Sequence, residues 1–147
     1  PDIRKIALEA LADSCGHEEG SLPLIVSRLT DESRDVRLAV VEVLGGCDSD
    51  KVFAYLEQAL NDEDDWVRIR AMEALGARGE REAVPRLLEM AGAPSKLVAI
   101  KAVETLGEIG GPEAFQALLG LVGGDDPELA GAAEAAIARL QDEQGER

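Results

Sequence analysis

Three strings in the chain are near-copies set at a constant step. RDVRLAVVEVLGG, DWVRIRAMEALGA and KLVAIKAVETLGE begin at Arg34, Asp65 and Lys96, 31 residues apart. A worn copy, PELAGAAEAAIAR, starts at Pro127, a further 31 on. An earlier copy, PDIRKIALEALAD, starts at Pro1, and its 33-residue spacing to Arg34 reflects a longer loop from Ser14 to Ser21. Shorter apolar segments lie between: LPLIVSRL from Leu22, VFAYLEQAL from Val52, AVPRLLEM from Ala83 and AFQALLGL from Ala114. A unit of this size cannot bury its apolar face alone, so neighbouring units must stack and share a core.

Each repeat reads as two helical segments joined by turns, because Gly, Asp, Ser and Pro cluster at the junctions GGCDSD, NDEDD, GAPS, GGP and GGDDP. Asp126-Pro127 and Gly111-Pro112 suit a helix start. No stretch alternates with period two, so no strand is expected. The expectation is an all-α chain, an α–α superhelix of about nine helices. It forms a single domain over residues 1–147, since every junction is short and the step never breaks.

Composition narrows the function. Fifteen Lys and Arg face 30 Asp and Glu, a formal net charge of −15, while 46% of residues are hydrophobic and only 3% aromatic. The apolar fraction is too high for a disordered acidic tail. The charge has the wrong sign for unaided binding to nucleic acid or an anionic membrane. No apolar run approaches a membrane span and no signal-peptide pattern opens the chain. Two cysteines without regular pairing do not read as a secreted disulfide scaffold, which favours a reducing compartment, the cytoplasm. The first residue is Pro1 rather than Met, as expected of a processed or excised piece.

An acidic turn followed by V-R-x-x-A-x-x-A-L-G, here Val67, Arg68, Ala71, Ala74, Leu75 and Gly76, resembles the HEAT repeat. The likeness is strongest to the short bacterial variety also found in phycobilisome lyase subunits, and it covers essentially the whole chain. The resemblance implies that the V-R helix is the second of each pair and lines a concave surface. The chain then opens mid-repeat, on an inner helix whose outer partner is missing, as in a fragment of a longer solenoid or an atypical cap. The family also implies an Asp–Arg ladder between repeats, with the Asp six residues before the Arg. Asp31 with Arg37 and Asp62 with Arg68 fit; the next two units carry Ala93 with Ala99 and Gly124 with Ala130. A lone buried charge is costly, so paired retention and paired loss mark a structural role.

With the Val of each V-R helix taken as position 0, a turn of 100° per residue places positions 0, 4, 7 and 8 on a core face. Positions −1, 2, 3 and 6 fall opposite. Position −1 holds Trp66 and Leu97; position 2 holds Leu38, Ile69 and Ile100; position 3 holds Arg70 and Lys101; position 6 holds Glu42, Glu73 and Glu104. On the concave surface these columns make an aliphatic stripe beside a row of Glu, with the only Trp at its centre. An apolar anchor with a charged rim is the composition of a protein-binding hot spot. The competing reading packs position 2 between neighbouring helices and lays Trp66 over the preceding turn. The Glu row pairs along its own helices through Arg70–Glu73 and Lys101–Glu104, and Glu42 lacks such a partner.

Catalytic and metal chemistry finds little support. The one His, His17, sits near Cys15 with Cys47 at a comparable place in the next repeat, but the spacing matches no zinc pattern. NDEDD, from Asn61 to Asp65, lacks the spacing and Gly of a calcium loop and suits helix capping. The expectation is therefore a non-catalytic scaffold that binds another protein or peptide, without metal, cofactor or catalytic residue; the Glu row leaves two readings open, pairing along its own helices or attraction of a partner's basic residues. Two alternatives stand beside it: a tetrapyrrole chaperone or lyase component, implied by the phycobilisome lyase likeness, and a purely structural segment of a longer solenoid.

Overall fold

A computed structural model describes residues 1–15 and 20–146, and every described element is helical. Five helices carry the V-R repeat: α1 (Asp2–Ala12), α3 (Arg34–Gly46), α5 (Asp65–Arg78), α7 (Lys96–Ile109) and α9 (Pro127–Gly145). Four intervening helices complete the pairs: α2 (Ser21–Val26), α4 (Val52–Ala59), α6 (Val84–Met90) and α8 (Gly111–Val122). The all-α architecture and the helix order follow the repeat. Two of the intervening helices are shorter than their apolar segments suggest, because α2 tightens into a 3₁₀ turn over Ser27–Thr30 and α6 is entered through another at Arg81–Ala83.

The described residues form two compact units, 1–74 and 75–147, with the boundary inside α5. In the first, α3 is the centre: α1, α2 and α4 pack on it, and Val36, Val40, Val41 and Leu44 are fully enclosed. In the second, α7 plays that part between α6, α8 and α9, enclosing Val98, Ala102, Val103 and Leu106. Position 5 is buried as well, at Leu8, Val41, Met72 and Val103, which the core face of positions 0, 4, 7 and 8 omitted. A helix that is contacted from two sides buries an arc wider than one stripe.

The L-G of the repeat has a packing cause. A Cβ on Gly45 would lie 3.1 Å from the Ala74 Cβ; one on Gly107 would lie 2.8 Å from the Ala136 Cβ. Within the second unit, a Cβ on Gly76 would meet the Thr105 Cγ2 at 3.2 Å. In each case position 9 of one V-R helix faces position 7 of the next, so Gly sets how closely successive helices approach.

The Asp–Arg ladder exists but is offset from its sequence reading. Arg37 donates from Nε to the Asp62 carboxylate at 2.9 Å, and Arg4 holds the Asp31 carboxylate at 2.9 Å, so each Arg reaches the Asp of the following repeat. Toward Asp31 of its own turn, Arg37 donates only to the backbone carbonyl, at 2.8 Å. The ladder thus runs Arg4–Asp31 and Arg37–Asp62, and includes Arg4, which the sequence reading left out. Arg68 stands at its end, paired with Asp65 on its own helix, its Nε buried without a hydrogen-bond partner. Two further cross-repeat pairs accompany it, Arg34–Asp64 at 3.8 Å and Lys96–Asp126.

The cysteines, read from the sequence as no disulfide scaffold, are joined in the structure. Cys15 and Cys47 form a disulfide with Cα atoms 5.4 Å apart. They follow α1 and α3, two stacked V-R helices, so equivalent places in successive repeats come within bonding reach despite a sequence separation of 32. His17 lies outside the described residues.

Candidate functional site

The candidate site lies in the first unit, over the N-terminal halves of α3 and α5. Asp64 starts α5 by accepting hydrogen bonds from the backbone N–H of Trp66 at 2.9 Å and of Val67 at 3.3 Å. That cap fixes the first turn of the helix and turns Val67 into the core while Trp66 stands outward, 55% exposed. Trp66, Leu38 and Ile69 line a cleft of about 310 Å³ that Arg34, Arg70 and Glu73 rim. Ile69 is only 7% exposed. It forms floor, as the reading that packs position 2 inward expects, rather than part of an open stripe. Leu38 is half-buried beside it.

Ion pairs between α3 and the start of α5 bracket this cleft. Arg34 reaches Asp64 at 3.8 Å, and Arg70 bonds Glu42 while lying 3.4 Å from Glu73. Glu42, without a basic neighbour on its own helix, thus finds one a repeat away. All four charged groups of Arg34, Glu42, Arg70 and Glu73 are roughly half-exposed, so these contacts are weak and can be exchanged for a ligand's. Arg34 was not among the residues picked from the sequence; its place one turn before Leu38 on the same face could have signalled it.

The other nominated residues belong to the second unit. Leu97 is half-exposed at the start of α7, Ile100 and Lys101 are partly covered, and Glu104 is exposed, with Lys101 Nζ 3.7 Å from it. A larger cleft of about 590 Å³ in the first unit lies over the ladder residues Asp31, Arg37 and Asp62. Its buried charges already satisfy one another, as do the turn carboxylates. The backbone N–H of Ser33, together with the Arg4 guanidinium, holds the Asp31 carboxyl below its ordinary range. Lys96 and the backbone N–H of Leu129 do the same for Asp126. Capping therefore accounts for much of the acidity in the turns. Among the described residues no group of three or more His, Cys, Asp and Glu could hold a metal ion, and no helix is long and apolar enough to cross a membrane.

The profile of HEAT repeats matches residues 1–72 and 53–138. The chain belongs to the HEAT-repeat family. Its fold is similar to that of human deoxyhypusine hydroxylase in complex with glycerol, at 21% identity and a TM-score of 0.72, over 87% of this chain and 46% of that one. It is also similar to an engineered protein, at 20% identity and a TM-score of 0.56, over 94% of this chain and 67% of that one. The HEAT-repeat chain thus spans under half the length of the hydroxylase it matches. No curated protein matches its sequence.

Proposed function

We propose that the chain is a non-catalytic binding module whose first unit grips a segment of another protein in the α3–α5 cleft. The observation that carries this reading is Trp66, held outward by the Asp64 cap over an apolar floor of Leu38 and Ile69. A large aromatic kept exposed at the mouth of a cleft is the residue type that dominates interface energetics. The partner is a segment with an apolar side chain for the cleft and basic residues for Glu42, Glu73 and the acidic turns. Leu97, Ile100, Lys101 and Glu104 offer a similar but smaller set in the second unit.

The hydroxylase likeness, at its level of identity, speaks for shared fold and carries no reaction to this chain. A bilin-binding role remains the alternative that the lyase-like repeats suggest, and an absorbance shift on mixing with a bilin would favour it. The cytoplasm is the proposed compartment, and the cysteine pair makes it testable: a cytoplasmic pool should carry Cys15 and Cys47 mainly as thiols on rapid alkylation of lysate.

Trp66 is the only Trp, so its emission reports on the cleft directly. Titration with peptides that place Leu or Phe between Lys or Arg residues should shift that emission, and the affinity should fall as salt is raised. Trp66→Ala should weaken binding about tenfold or more while leaving the helical signal intact. Peptide binding that is indifferent to salt and to Trp66→Ala would overturn the reading.

A further inference from the structure

The bridge between Cys15 and Cys47 ends a helix that packs along α3 but buries little of its own surface. Of the residues in α1, only Leu8 is buried, whereas α3 buries six. Ile3 is 83% and Ile6 64% exposed, so two of the large apolar side chains of α1 contribute little to its docking. The Arg4–Asp31 pair, a longer contact from Arg4 to Glu32 at 3.8 Å and a hydrogen bond from the Ser21 hydroxyl to the Ser14 carbonyl add to its docking. An isolated helix of 11 residues is marginal in water. By contrast, the bridge joins the end of α1 to the end of α3 through sulfur-bearing residues that are 3% and 1% exposed.

We propose that the Cys15–Cys47 bridge is a redox-sensitive clamp on α1. Oxidised, it keeps α1 docked on α3; reduced, it lets α1 detach while the helices after it stay folded. The physical cause lies in the open state. With the bond intact, a detached α1 is still tethered at its C-terminal end beside α3, which restricts the open ensemble and favours re-docking. With the bond broken, the α1–α3 packing around Leu8 and the Arg4 pairs must alone hold α1 against the entropy it gains on release.

The chemistry is thiol–disulfide exchange with a dithiol. Its first thiolate attacks one sulfur of the bridge to give a mixed disulfide and free one cysteine. Its second thiolate then closes the dithiol's own disulfide and frees the other. Two electrons pass to the pair, and two protons complete the Cys15 and Cys47 thiols. Oxidation by a low-molecular-weight disulfide runs the same steps backward. Because both sulfurs are buried, exchange proceeds through openings of the α1 end.

Hydrogen exchange on the whole chain, oxidised and then reduced with dithiothreitol, tests this. Reduction should lower protection of the amides of α1 at least about tenfold and leave those of α3 and of α7 to α9 unchanged. The double variant Cys15→Ser with Cys47→Ser should match the reduced chain under both conditions, and intact mass should show the oxidised chain lighter by two hydrogen atoms. Equal α1 protection in both redox states would overturn the proposal. So would loss of protection throughout α1 to α4, which would make the bridge a staple for the whole unit, or failure of a low-molecular-weight disulfide to close the pair.

Discussion

Gly107 and Gly120 are both helical glycines, yet their surroundings set opposite expectations for the same substitution. Alanine is intrinsically better in a helix by about 0.8–1 kcal/mol. At Gly120 nothing lies within 4 Å of the added Cβ, so Gly120→Ala should raise stability by about that amount. At Gly107 the Cβ would sit 2.8 Å from the Ala136 Cβ, and moving α9 away costs packing along its length, so Gly107→Ala should destabilise by about 1–3 kcal/mol. Urea unfolding of the two variants checks the contrast. The ladder gives a second pair. Arg37 and Asp62 are both nearly buried, and Arg37→Ala should cost about 3–5 kcal/mol by stranding the carboxylate. Arg68, which pairs with Asp65 on its own helix, should cost less than about 1 kcal/mol on the same change. Periodicity itself hid the ladder's offset. Asp62 follows Arg37 by 25 residues and precedes Arg68 by six, and in a 31-residue repeat these two spacings describe the same pair of columns. Sequence spacing therefore marks the columns but not the register across repeats, which only packing decides.

At the scale of the helix, the all-α reading was legible because the apolar period persists through every V-R segment and Asp, Ser or Pro marks most starts. What pattern could not supply was the extent of burial: Ile69 and Trp66 share one side of α5, yet one is floor and the other projects. That difference comes from the approach of α3 and from the Asp64 cap, both tertiary in origin. The disulfide was legible only in part: the repeat puts both cysteines at comparable places, but whether their Cα atoms come within bonding reach depends on how the helix ends pack. A turn carboxylate before α3 and the cap of α9 also fix how acid acts on these helices. Asp31 and Asp126 are held below the ordinary carboxylate value of 3.8. In the folded chain they bind protons less readily than when unfolded, so their contribution is complete above that value and is lost as pH falls through their lower folded values. Asp126→Asn keeps a capping side chain but removes the titration and the charge attracting Lys96. Its stability should be lower than that of the parent at pH about 7 and should fall less steeply between pH about 4 and 2, as followed by denaturant midpoints.

For the molecule as a whole, the net charge of −15 acts against its own ion pairs. The cross-repeat pairs Arg34–Asp64, Glu42–Arg70 and Lys96–Asp126 are partly exposed, so each contributes about 0–1 kcal/mol and added salt weakens it. The excess carboxylates repel one another over longer distances, and salt weakens that repulsion as well. With acidic residues outnumbering basic ones two to one, most carboxylates have no basic partner to lose, and relief of repulsion should win. Raising salt from about 0.02 to 0.3 M should therefore raise the Tm by a few degrees. Binding of a basic segment at Trp66 should move the other way, because there the same carboxylates attract. Calorimetry and Trp66 titration across one salt series would measure both slopes on a single chain. A Tm that falls with salt would mean that the ladders between repeats, rather than the burial of α3 and α7, dominate the stability of the stack.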